Sequence, residues 1–342
     1  MSRLRRLSVS LPEIDKTNIL TCNINLIFGV FSEKYTESEV EMIDLLLGGS
    51  PCQGFSSAGK QLNFLDPRSK LFFNYVKALE TLKPRYFLLE NVKMKKEYQD
   101  IISKYMGVEP IEINSALVSA QKRKRLYWTN IPNITIPNNK NIALNDILQE
   151  DIEHTFLPLY RQEYTNYDAG KVNKEINPIT AMQLRSSKQF TCSVSNDGKA
   201  FTVRRTECNG ILDKDYRIRQ FTPIEVERLQ TVPDDYTSCL CKTKRYEALG
   251  NGWTADVIAH ILSFIPNTYL HTVLSLFDGI SCGQVALEKA GKIYNQYYAS
   301  EIDKYAIQVA MKNYPHTMQL GDVTQIDWTV FFDKINMIQK VS

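Results

Sequence analysis

Cys52 follows an abrupt change of texture: the apolar run Ile43-Asp44-Leu45-Leu46-Leu47 breaks into Gly48-Gly49-Ser50-Pro51, and the thiol comes next, in LLLGGSPCQGFSSAGK. An apolar run ended by two glycines reads as a buried strand and a tight turn. Cys52 then stands at a strand's carboxyl edge, where open α/β sheets hold reactive groups. A free cysteine alone more often packs as a small inert hydrophobe, so its position counts only in company. TVLSLFDGISCGQVALEKAG reads as a strand over 273–277, a turn permitted by Gly279 and Gly283, and a helix starting over 284–289 whose amide end favours a negative group. Asp278 follows that strand, and Glu301 comes 23 positions later at the end of IYNQYYASE, where an acid commonly takes a ribose hydroxyl. Asp322 follows a further helix in QLGDV. Acids at three successive strand ends point to an adenosine-containing cofactor.

Residues 43–130 must position the thiol, and they alternate: a strand over 43–48, a helix near 69–82, a strand at 86–89, a helix near 96–106 and a strand-like segment ending in Leu126-Tyr127-Trp128. That alternation predicts βαβ units on a largely parallel sheet. Residues 131–215 differ, being rich in Asn, Pro, Thr and Ser with short pieces such as QFTCSVS and KAFTVRR, and predict a smaller domain of short strands and long loops. Helix signals return at Thr222, a cap followed by Pro223 and by Glu225 three residues on, a capping box; a second helix is expected near 253–264.

With 342 residues and 43% hydrophobic side chains, the chain can bury a full core. No apolar stretch reaches the roughly 20 residues of a membrane span, and MSRLRRLSVS lacks the apolar middle of a secretory signal, so a soluble intracellular protein is expected. Seven irregularly spaced cysteines and four scattered histidines read as reduced thiols without a zinc site. A net charge of +3 does not announce a nucleic-acid partner, although Arg3-Leu4-Arg5-Arg6, the KRKR of 122–125 and Arg204-Arg205 are local basic patches.

Taken together, these stretches resemble the DNA (cytosine-5)-methyltransferases that use S-adenosylmethionine. GSPCQGFS resembles the family's Pro-Cys loop, LLENV its Glu-Asn-Val, QKRKR its Gln-x-Arg-x-Arg, RQFTPIEVERLQTVPDDYT its ninth motif and ALGNGW its tenth; LFDGISCG, SEID and GDV match its three cofactor motifs. The motif order is circularly permuted, with the Pro-Cys loop first and the cofactor motifs last, and joining 327 to 43 restores the usual order. A fusion of two partial genes is the other way to reach this order. Only about eight residues, 265–272, separate the helix after motif ten from the first cofactor strand.

The resemblance implies an α/β fold, a mostly parallel, doubly wound Rossmann-like methyltransferase sheet with a small, mainly β and loop target-recognition domain. Its divisions would be an N-terminal extension (1–42), a catalytic half (43–132), the target-recognition region (133–215), motifs nine and ten with closing helices (216–267) and the S-adenosylmethionine-binding half (268–342). It implies that Cys52 attacks carbon 6 of a flipped cytosine, that Glu90 gives ring nitrogen 3 a proton, that Arg125 holds oxygen 2, and that Arg123 positions or contacts phosphate. Phe277, Asp278, Gly279, Ile280, Glu301, Ile302, Asp322, Val323, Asn251 and Trp253 would bind the cofactor, Glu301 at the ribose and Asp322 at the adenine amino group. GNGW departs from the family's Gly-Asn-Ser and from the Gly-Arg-Ser-Trp of the animal de novo enzymes, which bears on Asn251 and Trp253. Gln53, Ser56 and Arg68, in or beside the loop expected to close over the base, and Arg185, Lys188, Lys199, Arg204 and Arg205 in the recognition region are the candidate DNA contacts. Double-stranded DNA is the expected partner, with a cognate restriction endonuclease in the same system and a bacterial or phage-infected cytoplasm as the setting; no metal and no membrane are expected. Methylation of an RNA cytosine, or an inactive or partner-dependent DNA-binding homologue, are the alternatives.

Overall fold

The computed structural model describes residues 43–51, 71–150, 180–184, 192–195, 197–205, 209–212 and 218–339. Cys52, Gln53, Ser56, Arg68, Arg185 and Lys188 lie outside the described residues. The described elements of the larger layer are β1 (Leu45–Gly48), α1 (Phe72–Leu82), β2 (Tyr86–Val92), α2 (Lys96–Met106), β3 (Ile111–Asn114) and β4 (Lys124–Thr129). Four strands follow: β5 (Thr180–Leu184), β6 (Cys192–Ser195), β7 (Asn209–Leu212) and β8 (Ile218–Gln220). Three helices come next, α3 (Pro223–Leu229), α4 (Lys242–Asn251) and α5 (Ala255–Ser263). The last stretch is β9 (Tyr269–Leu276), α6 (Cys282–Lys289), β10 (Ile293–Ser300), α7 (Lys304–Asn313), β11 (Met318–Gln319) and α8 (Trp328–Gln339).

Seven of the described strands form one sheet in the order β11-β10-β9-β1-β2-β4-β3, parallel from β11 to β2. β1 sits between β9 and β2, with Leu45 paired to Val273 on one side and to Tyr86 on the other. Residues 228 positions apart in sequence, such as Leu45 and Val273, therefore pair within one hydrogen-bonded layer. The unbroken apolar run of β1 is what a strand covered on both faces requires. Leu46 packs with Phe72, Tyr75, Trp128 and Trp328 on one face, while Leu45 and Leu47 pack with Val257, Ile261 and Leu287 on the other.

β4 runs antiparallel to both β2 and β3, so the segment ending in Trp128 is not a further parallel strand. Nine residues, 115–123, join β3 to β4, too few for the helical crossover that a parallel pair needs. Two helices go beyond the sequence expectation. α4 has no capping side chain at Cys241 and buries only Tyr246 and Leu249, which leaves little periodic signal. α8 places Trp328, Phe331 and Ile335 in the core beside α1. Gly279 makes the expected turn with φ 60°, but Gly283 lies inside α6. A Cβ there would sit 2.7 Å from Tyr297 Oη and 2.9 Å from Leu47 Cδ1, so glycine at 283 allows the helix to approach the sheet. β9 begins at Tyr269, which shortens the link after α5 to residues 264–268.

β5–β8 form a separate antiparallel sheet in the order β6-β5-β7-β8. Its attachment is polar: Lys122 Nζ reaches Ser195 Oγ at 2.7 Å and Asp197 Oδ2 at 2.9 Å, and Gln121 bridges to Ala200. α3 carries the expected capping box, Thr222 Oγ1 accepting from Glu225 N and Glu225 Oε2 accepting from Thr222 N at 2.8 Å. Among the described residues no helix is long and apolar enough to cross a membrane, and no group of three or more His, Cys, Asp or Glu could hold a metal ion.

Candidate active site

The carboxyl ends of β9, β1 and β2 open into a cleft of about 250 Å³. Its lining includes Gly49, Ser50 and Pro51, the approach to Cys52, together with Glu90, Arg123, Arg125, Asn251, Trp253, Phe277, Asp278, Gly279, Ile280 and Glu301. Ten positions singled out in the sequence thus converge on one space with the residues before the thiol. Ile302, Asp322 and Val323 are not part of this lining. They stand at its edge in the fold: Ile302 is 72% exposed after β10, and Ser300 Oγ donates to Gly321 O at 2.7 Å, tying the end of β10 to the loop of Asp322.

One wall is built from β2 and β4. Glu90 and Arg125 project from adjacent antiparallel strands, and Arg125 Nε meets Glu90 Oε1 at 2.9 Å with both side chains mostly buried. Arg123, 4% exposed, donates to Val203 O at 3.1 Å and Gly252 O at 2.9 Å. Those carbonyls hold the smaller sheet's strap and the segment after α4, so the geometry favours positioning over a phosphate contact. Asn91, to which the sequence reading assigned no role, donates from Nδ2 to Ser50 Oγ at 3.1 Å and so fixes the residue two before the thiol. The signal for it was present in the Glu-Asn-Val motif itself. Gln121 likewise donates to Leu229 O at 2.6 Å and to Gln230 Oε1 at 2.8 Å in a buried network with Thr254.

The other wall is the loop after β9 and the end of β10. Phe277 and Ser281 adopt left-handed φ values of 59° and 61° around Gly279, a costly conformation that the surrounding packing enforces. Glu301 closes the loop: Oε2 accepts from Gly279 N at 2.8 Å, and Oε1 from Ile302 N at 2.7 Å and Asp303 N at 2.8 Å. Asp322 is an N-cap, accepting from Thr324 N at 2.9 Å. Asp278 is 8% exposed, and Tyr297 Oη donates to its Oδ1 at 2.7 Å. Burial pushes the Asp278 carboxyl up to about 6, aided by the Glu301 charge and opposed by nearby Ser275, Tyr297 and Ser281 hydroxyls. Cys282 also lines the cleft, but burial pushes its thiol up to about 12, so it stays protonated and is a poor nucleophile.

Arg204 and Arg205 are exposed where their backbone passes α4; a Cβ at Gly250 would collide with it, which places the pair at the rim of the cleft. Arg205 is ion-paired with Glu247. Lys199 is a correction: its Nζ donates to Ala116 O at 2.8 Å, Ser119 O at 3.0 Å and Ile142 O at 2.5 Å. Burial lowers its pKa, and three carbonyls occupy an ammonium that a phosphate contact would need.

The sequence profile of the C-5 cytosine-specific DNA methylases matches residues 11–267 and 271–340. The chain belongs to that family. Among curated relatives, the type II methyltransferase M1.ScrFI of Lactococcus lactis subsp. cremoris is 29% identical over 280 residues, covering 73% of this chain and 70% of that protein. The type II methyltransferase M.DsaV of Dactylococcopsis salina is 25% identical over 300 residues, covering 78% and 82%. The orphan methyltransferase M.Rho11sI of Bacillus phage rho11s is 34% identical over 162 residues, covering 42% and 32%. As a C-5 cytosine-specific methylase the chain transfers a methyl group to carbon 5 of cytosine in DNA, and S-adenosylmethionine is the donor the family uses generally.

Proposed function

We propose that the cleft holds S-adenosylmethionine on the β9–β10 wall and a flipped cytosine against the β2–β4 wall, with Cys52, which follows the cleft-lining Pro51 in the chain, as the nucleophile. The observation that carries this reading is the convergence of Pro51, Glu90, Arg125 and Glu301 on one space. The residues fit the cofactor: among the described residues the Gly279 turn leaves open room where a side chain would stand, a buried Asp278 oxygen has no hydrogen-bond partner, and Phe277, Ile280 and Trp253 supply apolar surface. When bound, the cofactor supplies an electrophilic methyl group. Glu301 would accept from the ribose hydroxyls, Asp322 from the adenine amino group, with Ile302 and Val323 against the base and Asn251 and Trp253 at the amino-acid end.

The Cys52 thiolate would form a sulfur–carbon 6 bond while Glu90 transfers its proton to ring nitrogen 3, which leaves carbon 5 electron-rich. Arg125, freed from Glu90 while that carboxyl carries the proton it donates, would hold oxygen 2. After methylation a base removes the carbon 5 proton, the sulfur–carbon bond breaks to return the thiolate, and ring nitrogen 3 gives its proton back to Glu90. Arg123 acts through the carbonyls it binds. Gln53, Ser56, Arg68, Arg185, Lys188, Arg204 and Arg205 remain the proposed DNA contacts. Type II names among the relatives favour a restriction–modification setting with a cognate endonuclease, in a bacterial or phage-infected cytoplasm. The decisive test is duplex DNA carrying 5-fluorocytosine, incubated with cofactor. The wild-type chain should give a denaturant-stable adduct at its target site and Cys52→Ser none; an adduct on the serine variant would place the nucleophile elsewhere.

We infer further that the motif order is a circular permutation. Two observations support it: β1 lies between β9 and β2, and the link over 264–268 is only five residues long. Co-expressing 1–267 with 268–342 as separate chains should restore soluble yield and methylation, whereas a well-folded first piece indifferent to the second would refute the inference.

A further inference from the structure

The Asp278 carboxylate sits in the cleft wall with one oxygen committed and one idle. Oδ1 accepts from Tyr297 Oη, while Oδ2 is buried and has no hydrogen-bond partner among the described residues. Ser275 and Ser281 lie near enough to favour the charged form, yet Ser275 Oγ also completes no hydrogen bond, and Ser281 Oγ accepts from Gln284 Nε2. A buried carboxylate oxygen left unpaired is costly unless something positive arrives. Among the described residues, the groups that face it do not supply that charge. From β10 come Tyr297 and Tyr294, from its end Glu301, from α6 Cys282, and from the segment before α4 Tyr236; burial keeps the phenols and the thiol in their neutral forms. Arg123, a cation of the same cleft, is held by the carbonyls of Val203 and Gly252.

We propose that Asp278, oriented by Tyr297, is a charge selector that favours the sulfonium form of the cofactor over its neutral thioether product. The proposal rests on the S-adenosylmethionine reading of the cleft and deepens it. With its ammonium and carboxylate ionised, the methyl donor carries one net positive charge and the product, S-adenosylhomocysteine, none. A buried negative charge therefore distinguishes two ligands of nearly the same shape. It draws in the donor and loses its hold once the methyl group has left. Because the carboxylate rises to about 6, donor binding should weaken as pH falls through that value, whereas product binding should not. Tyr297 donates to the charged form, so its loss should move the midpoint upward.

The test is calorimetry of S-adenosylmethionine and S-adenosylhomocysteine on the full chain at pH 7.5 and 5.5, with Asp278→Asn and Tyr297→Phe. In the wild type the donor-to-product affinity ratio should fall as the pH is lowered. In Asp278→Asn it should be roughly tenfold lower at pH 7.5 and independent of pH. Tyr297→Phe should keep the pH dependence with a higher midpoint, which a merely structural role would not produce. A ligand-free melting temperature near the wild-type value certifies that each variant is folded. An unchanged ratio in Asp278→Asn overturns the selector while leaving the cofactor reading intact; wild type that binds neither ligand overturns the cofactor reading itself.

Discussion

The two walls of the cleft hold their acids in opposite ways. On the β9–β10 wall, backbone amides hold Glu301, and at its edge Asp322 caps the turn that follows by accepting from Thr324 N, so these carboxylates are part of the chain's own local hydrogen bonding. On the β2–β4 wall, Glu90 is held by a side chain, Arg125, across a strand pair. Backbone amides cannot leave, so the first wall is a preformed mould for a molecule that binds and departs unchanged in outline. A side-chain ion pair can exchange its partner, so the second wall can hand a proton and a charge to a base and take them back.

Substituting the exchangeable acid should therefore produce the largest effect. Glu90→Gln keeps the shape and removes the proton that nitrogen 3 needs, and turnover should fall by about 10²- to 10⁴-fold with cofactor affinity unchanged. Single-turnover methylation and calorimetry together check this. Retained turnover with a lowered melting temperature would mean the Glu90–Arg125 pair is only a strut.

The preformed wall should respond differently. Glu301→Ala strands three backbone N–H groups and loosens the Gly279 turn, at a cost of about 1 to 3 kcal/mol in cofactor binding, or roughly tenfold to a hundredfold in affinity. DNA affinity should hold. Equal losses toward both ligands would erase the distinction between the walls.

How far each wall could be read from residues alone follows from the same contrast. Glu301 was legible because a strand end and a nearby glycine turn fix an acid's place by local chain geometry. The parallel core was legible for a similar reason: Leu45-Leu46-Leu47 can only be covered on both faces. The antiparallel β4 was not, because its direction depends on the short 115–123 connection folding as a hairpin return, which apolar patterning does not encode. Lys199 reads as an ordinary basic residue near others, and only the three carbonyls that converge on it from distant segments make it structural. Gly283 looked like a turn glycine by spacing, whereas the reason for it, Tyr297 Oη and Leu47 on the sheet beneath, is a tertiary contact.

Trp253 offers the finest probe of the two walls, because it touches the approach to one and lines the site of the other. A Cβ at Gly49 would stand 2.8 Å from its Nε1, so the indole lies flush on the segment leading to Cys52, and the same side chain lines the cleft near Phe277. The chain has three tryptophans, and Trp128 and Trp328 are 0% and 1% exposed in the core, which leaves Trp253 as the partly exposed one. Adding S-adenosylmethionine should therefore produce a small shift in tryptophan emission that Trp253→Phe abolishes, while calorimetry on the variant still detects binding. Emission changes that survive the substitution would report movement at Trp128 on β4 or Trp328 on α8, and the cleft would then be a part that rearranges with its ligand instead of a preformed mould.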